Sequence, residues 1–456
     1  MIQTIIERSL TLGSELFRWS ANDIRASIIK YILRTSPRMH PFSSLSFVIL
    51  PSRNKHHAYP VHFIAWIPAV ILLLVSFASV RAGAEDAPAL HQNELFTCAS
   101  GPWGRVSYYY FYLEAPDYVV EKFPLPNTTT KWVFSLTEFD RAETLLKSAG
   151  MPQERLDQIL SPRRVVKDTQ YAYVFPSTAD LESLTPENRA IIYTELARIP
   201  ANVYQYSPVF FLTDSVEEWA RESGLSDSIV SKISSLSYKA GNALVFADIP
   251  LLLSQAENVA DARFIMRKLT RVRTLMAQLE LSKEDSIPDL LNYWSTGLGL
   301  RQKELEPLMQ AIVHTKGLSH LDMLHLVPPL PRKLLYTYPD ISYTTEGRLP
   351  DCHWTSLNFF NLTPQPFLLD TRLATSLVKQ DFDKVEPPYR YGDVLMFITP
   401  DGRAVHSATY LADDLLFTKN GSNLLTPWLL MRLQDLAKLY EVEPGKARIV
   451  GFRHKK

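Results

Sequence analysis

Cysteine is scarce in this 456-residue chain, which holds only Cys98 and Cys352. One disulfide is the most it can form. The two either pair, which would consume Cys352 and end any thiol chemistry, or both stay free. Net charge is lacking too: 48 basic and 48 acidic side chains cancel, so no global field favours nucleic acid or anionic lipid. Between residues 132 and 326 no metal-ligand spacing, glycine-rich phosphate loop or charge cluster stands out. Neither a cofactor nor a metal is implied. A partner must therefore be argued from a site.

Apolar side chains are plentiful: 46% of residues are hydrophobic and 11% aromatic, ample for a sizeable core and, at this length, for two domains. The run Phe63–Val80, "FIAWIPAVILLLVSFASV", is uncharged throughout and stands at the lower edge of membrane-spanning length. Ala82 and Ala84 just after it form the small-x-small pattern of a signal-peptidase site. Residues 1–84 are expected to be a cleaved secretory signal, with a mature start near Glu85, or an uncleaved amino-terminal anchor; Met39 offers an alternative start. Both readings export the bulk of the chain to the periplasm or the extracellular space, and confine membrane contact to this segment.

Residues 85–325 read as a mostly helical domain. In "EFDRAETLLKSAG", Phe139, Ala142, Leu145 and Leu146 fall on one face and Gly150 ends the helix. A helix, glycine, helix arrangement recurs around Gly224 and Gly297, a weak internal repeat that chance similarity among amphipathic helices would also produce. The strand-like pieces "YAYVFPSTADL" and "NALVFADIPLL" strengthen the hint. This region reads as a scaffold able to bind a protein partner, and "RFIMRKLTRVRTLM" as a helix with a solvated basic face. Residues 326–339, with Pro328, Pro329, Pro331 and Pro339, read as an extended linker, leaving 340–456 as a compact terminal domain.

In that domain "DVLMFI", "AVHSATYLA" and "LLFTKNG" read as an antiparallel meander. A helix capped at Thr426 over "TPWLLMRLQDLAKLY" and a last strand "ARIVGF" complete an α+β unit. Cys352 follows Pro350-Asp351 where a helix can begin, and a helix start favours thiolate. His406 on the second strand is the candidate base. His353 projects about 100° from its neighbour on a helix and is expected to be poorly placed to serve it. Asn420, after the third strand, is the candidate to orient the imidazole, and Thr418 shares its parity. A buried structural cysteine and a satisfied core histidine fit the same residues. A metal held by Cys352, His353 and His406 is set aside, because adjacent Cys-His pairs rarely converge on one ion.

Asp351-Cys352, Gly392-Asp393-Val394 and His406 with Tyr410-Leu411, in this order, resemble the hallmarks of the NlpC-type bacterial cysteine peptidases, a branch of the papain-like fold. The resemblance covers residues 340–456. It implies that Cys352 attacks an amide carbonyl, that His406 is base then acid, that Asn420 orients the ring, and that the substrate is a cell-wall peptide. The chain departs from the family in having His353-Trp354 where Ser-Gly is usual, and in a third position that an ungapped count sets on Thr418. Two other functions stand beside the hydrolase: a catalytically silent exported scaffold, and an acyltransferase or lipid esterase whose apolar substrate would meet Trp354, Phe359, Phe360 and Tyr410.

Overall fold

The computed structural model describes residues 94–295, 299–340, 344, 347–442 and 445–455. The leader or anchor, with its apolar run Phe63–Val80, lies outside these residues. Among the described ones no helix is long and apolar enough to cross a membrane.

The chain enters through β1 (Phe96–Thr97) and β2 (Arg105–Leu113). Two matching units follow. The first holds β3 (Trp132–Ser135), β4 (Val165–Lys167) and β5 (Tyr171–Val174); the second holds β6 (Val209–Phe211), β7 (Tyr238–Ala240) and β8 (Ala243–Phe246). In each, a strand leads into two short helices, then a hairpin whose second strand returns to pair with the first, giving the orders β3-β5-β4 and β6-β8-β7. Gly150 and Gly224 separate the helices of each pair, at φ 76° and 74°, the left-handed conformation that ends a helix most readily at glycine. The repeat hint thus has a physical basis in these two units. A third helix pair, Ile287–Trp294 and Gly299–His314, sits between β9 (Val272–Glu280) and β10 (His320–Asp322); its Gly297 lies outside the described residues.

The expectation of a mostly helical region is corrected by these sheets. In the basic stretch only Val259–Leu269 is helical, and Val272 onward is strand. Nine rungs, from Arg105↔Glu280 to Leu113↔Val272, bind β9 to β2, a pairing outside any local window. Arg271 and Arg273 lie over the rings of Tyr112 and Tyr110, at 3.9 and 3.7 Å, so this is not a freely solvated face.

Residues 326–339 are not an extended linker. Pro329–Leu334 is a helix with Leu330, Pro331 and Leu334 buried, since proline fits the first turn. Each buried leucine contributes roughly 1.5–3 kcal/mol, more than the weak extended preference of the prolines. The segment then meets Trp428, whose carbonyl accepts from Tyr336 N–H at 2.8 Å and whose N–H donates to Thr337 O at 3.0 Å. One core runs without a break from Val106 and Leu279 through Leu330 to Trp354 and Phe417.

The terminal part is built on β11 (Phe382–Val385), β12 (Val394–Ile398), β13 (Ala404–Ala412), β14 (Leu415–Lys419), β15 (Trp428–Arg432) and β16 (Arg448–His454), an antiparallel sheet of order β11-β16-β12-β13-β14-β15. The helix expected over 426–440 is confined to Leu433–Leu439, because "WLLMR" pairs with β14 from Leu415↔Arg432 to Lys419↔Trp428. A short apolar run buried on both faces suits either element, and the open edge of β14 decides it. With helices and antiparallel sheets in one chain, the fold class is α+β.

The Gly392-Asp393 motif has a structural task. Gly392 has φ 89°, and a Cβ there would lie 2.3 Å from the Phe360 ring. The Asp393 carboxylate accepts from Arg453 Nε and Nη2 at 2.8 and 2.7 Å and from Arg390 N–H at 2.7 Å, tying the start of β12 to β16.

Candidate active site

Cys352 is the first residue of the helix Cys352–Leu357, which Asp351 caps by accepting from Trp354 N–H at 2.8 Å. Thr355 locks the same turn: its hydroxyl donates to Asp351 O at 2.6 Å and accepts from Trp428 Nε1 at 2.9 Å. Sequence and packing thus set the sulfur at the end of a helix pinned to β15. Trp354 is 2% exposed and lies 6.3 Å from the Trp428 ring, so it belongs to the core and does not line a cleft. Phe359 and Phe360 pack on Tyr391, and Tyr410 packs on Trp103 and Tyr389. The aromatic neighbourhood that suggested an apolar substrate is spent on packing.

Cys352 as a residue is 7% exposed. Burial alone would push its pKa up, but the neighbouring imidazoles of His353 and His406 bring it down to about 6. Two residues 54 positions apart by number, 352 and 406, therefore meet, as does His353, which sequence reasoning had placed out of reach. The 100° offset holds for the helix barrel; at the first turn the side chain of His353 folds onto the neighbouring strand. Its Nε2 donates to Ala404 O at 3.2 Å and its Nδ1 bonds Ser407 Oγ at 3.0 Å, both on β13. The His353 pKa is up at about 9, with burial opposing and the charge and hydrogen bond of Cys352 raising it. Nothing in the local pattern pointed to it: Ser407 and Ala404, its partners, lie on a strand more than fifty residues away.

His406 is fully buried. Its ring stacks on Tyr440 at 4.0 Å and 13° and meets Phe397 at 5.3 Å. Its Nε2 lies 3.0 Å from Thr418 Oγ1, and its Nδ1 has no hydrogen bond to a nitrogen or oxygen. The orienting contact is made by Thr418; Asn420 does not reach the ring. Asn420 Nδ2 donates to Met431 Sδ at 3.0 Å. Extending the register of β13 with β14 would set Asn420 opposite His406, but the ladder stops at Thr409↔Phe417, and the chain turns away to β15 before residue 420.

Lys419, on the helix side of β14, is also fully buried. Its Nζ donates to Gly421 O at 2.6 Å and sits 5.7 Å over the Trp428 ring. Burial brings its pKa down to about 7 against the opposing charges of Asp351 and Cys352. Cys98 forms no disulfide with Cys352; both thiols are free, and burial with the nearby charge of Asp413 pushes Cys98 up to about 12. Among the described residues no group of three His, Cys, Asp or Glu side chains has the arrangement to hold a metal ion.

Comparison with protein-family models, curated proteins and solved structures finds no match to this chain. The geometry of the site carries the functional argument.

Proposed function

We propose that the chain is an exported thiol hydrolase that cleaves an amide bond, in the class of cell-wall peptides that the resemblance implies. The observation that supports it is the Cys352 thiol held between two imidazoles with its pKa near 6. Thiolate is the nucleophilic form, and a purely structural cysteine gains nothing from such neighbours. His406 Nδ1 takes the proton of the Cys352 thiol, the sulfur attacks the carbonyl carbon, and the new oxyanion is held in part by the Cys352 backbone N–H. The C–N bond then breaks as the amine takes a proton from the imidazolium of His406, leaving an acyl-enzyme. Water, deprotonated by His406, attacks the thioester and restores the thiolate. Thr418 keeps the ring oriented. Export is read from Phe63–Val80 and the Ala82, Ala84 pattern that follows.

The test is digestion of cell-wall sacculi and a panel of model amides with wild-type protein and Cys352→Ala, read by mass spectrometry. Products released by the wild type alone support the reading; equal products from both remove the catalytic assignment.

The closeness of the site favours one second reading, a catalytically silent module in which the repeat units bind a protein partner. Cys352 is 7% exposed and His406 not at all. Slow labelling of Cys352 by iodoacetamide at neutral pH in an intact fold would support that reading over the enzyme.

A further inference from the structure

We infer that His353 is a third catalytic group of this site, a fixed imidazolium that stabilises the Cys352 thiolate once His406 has taken its proton, His406 alone moving the proton. The inference deepens the hydrolase reading and rests on it for the word catalytic. The hydrogen-bond chain around His353 carries it. Ser356 Oγ must donate to Cys352 O, at 3.0 Å, because a carbonyl cannot donate. Ser356 Oγ then accepts the Ser407 hydroxyl, at 3.2 Å. With its own hydrogen spent, Ser407 Oγ is left to accept from His353 Nδ1–H. His353 Nε2 faces the carbonyl of Ala404 and must donate as well. Both ring nitrogens therefore carry hydrogen, which is the cation.

His406 is arranged the opposite way. Thr418 Oγ1 donates to Ser407 O at 3.5 Å and so accepts from His406 Nε2–H. That tautomer leaves the lone pair on Nδ1, the atom without a nitrogen or oxygen partner. One imidazole is locked charged by two acceptors; the other keeps its lone pair on Nδ1, the atom that can exchange the thiol proton. His353 is also part-exposed where His406 is fully buried. The charged and titratable groups facing the pair are Asp351 on the same helix, His406 on β13, Lys419 on β14, and Tyr440 after the last helix. Among them Asp351 favours the His353 cation.

The experiment is the pH profile of Cys352 carbamidomethylation by iodoacetamide in the full-length chain, resolved by mass spectrometry, with the buried Cys98 as internal reference. Wild-type labelling should rise through about pH 6. In His353→Gln, which keeps a donor and loses the charge, the midpoint should rise by about 1.5 units or more and labelling at pH 6.5 should fall about tenfold. His353→Arg, which restores charge, should stay within about threefold of wild type. Ser407→Ala, which removes the Nδ1 acceptor, should move the midpoint in the same direction as His353→Gln; it carries the test if His353→Gln does not fold. Thermal unfolding confirms the fold of each variant. An unmoved midpoint in folded His353→Gln, or in Ser407→Ala where that variant stands in, overturns the inference. The hydrolase reading fails separately, on equal amide cleavage by wild type and Cys352→Ala, and the labelling profile then still decides whether His353 sets the thiolate.

Discussion

The second repeat unit and the terminal sheet both bury titratable side chains, and they do so in opposite ways. Against β8, Arg189 and Asp248 are each fully buried and pair at 3.0 Å between Nε and Oδ2. Tyr193 OH donates to Asp248 at 2.5 Å, and Arg189 reaches the carbonyls of Leu181 and Leu184. Burial raises the Asp248 carboxyl and the charge of Arg189 opposes it. Charge meets charge at ion-pair distance, although Arg189 Nε and Asp248 Oδ2 lack hydrogen-bond geometry, and other Arg189 nitrogens meet carbonyls, the pattern of a structural network. Around Cys352 the groups form a relay, Cys352 to His353 to Ser407 to Ser356, and the basic nitrogen without a hydrogen-bond partner, His406 Nδ1, belongs to a neighbour of a thiol whose pKa is lowered. Burial of ionisable groups is therefore no mark of function. An unspent basic atom beside a depressed thiol is the more informative sign.

The largest effect should come from breaking the closed network. Arg189→Met leaves Asp248 buried without its partner and should cost about 3–5 kcal/mol in denaturant unfolding. A cost below about 1 kcal/mol would mean the network is not structural, and the contrast would collapse. Next comes the hinge of the terminal sheet. Gly392→Ala combines a positive φ with a clash against Phe360 and should lose about 1–3 kcal/mol, with the Cys352 labelling profile unchanged if the site is independent of it.

Smaller and more discriminating is the pair at the end of β14. Thr418→Val should free His406 from its orienting contact and slow amide cleavage about tenfold, whereas Asn420→Ala should stay within about twofold. The reverse order would restore Asn420 as the orienting residue. Smallest is Trp354→Phe, which keeps an aromatic ring against Trp428 and should change turnover by less than about threefold while costing about 1 kcal/mol of stability. A change in which amide is cleaved would instead mean that Trp354 touches substrate.

Local pattern carried some elements and not others. The helix Arg141–Ser148 and the strands β5, β8, β12, β13 and β14 follow from periodicity and turn residues, whereas the pairing of Cys352 with His406 was singled out by the resemblance. What local pattern missed shares one cause. Strand β9 was hidden in a basic helical pattern because its partner, β2, is far upstream. Strand β15 was hidden in a helical one because its partner is an edge that forms only when the meander folds. The helix at Pro329–Leu334 looked like a linker because proline disfavours helix everywhere except its first turn.

By itself the sequence determined which chemistry was available: a single candidate nucleophile in the terminal region, an imidazole on an alternating strand, and no cofactor motif between residues 132 and 326. Residue type and local periodicity are properties of the chain whatever its partners. Only the tertiary structure decided which groups share the sulfur. It brought in His353 and replaced Asn420 by Thr418, because the end of a ladder and the folding of a side chain onto a neighbouring strand are set by packing between distant segments.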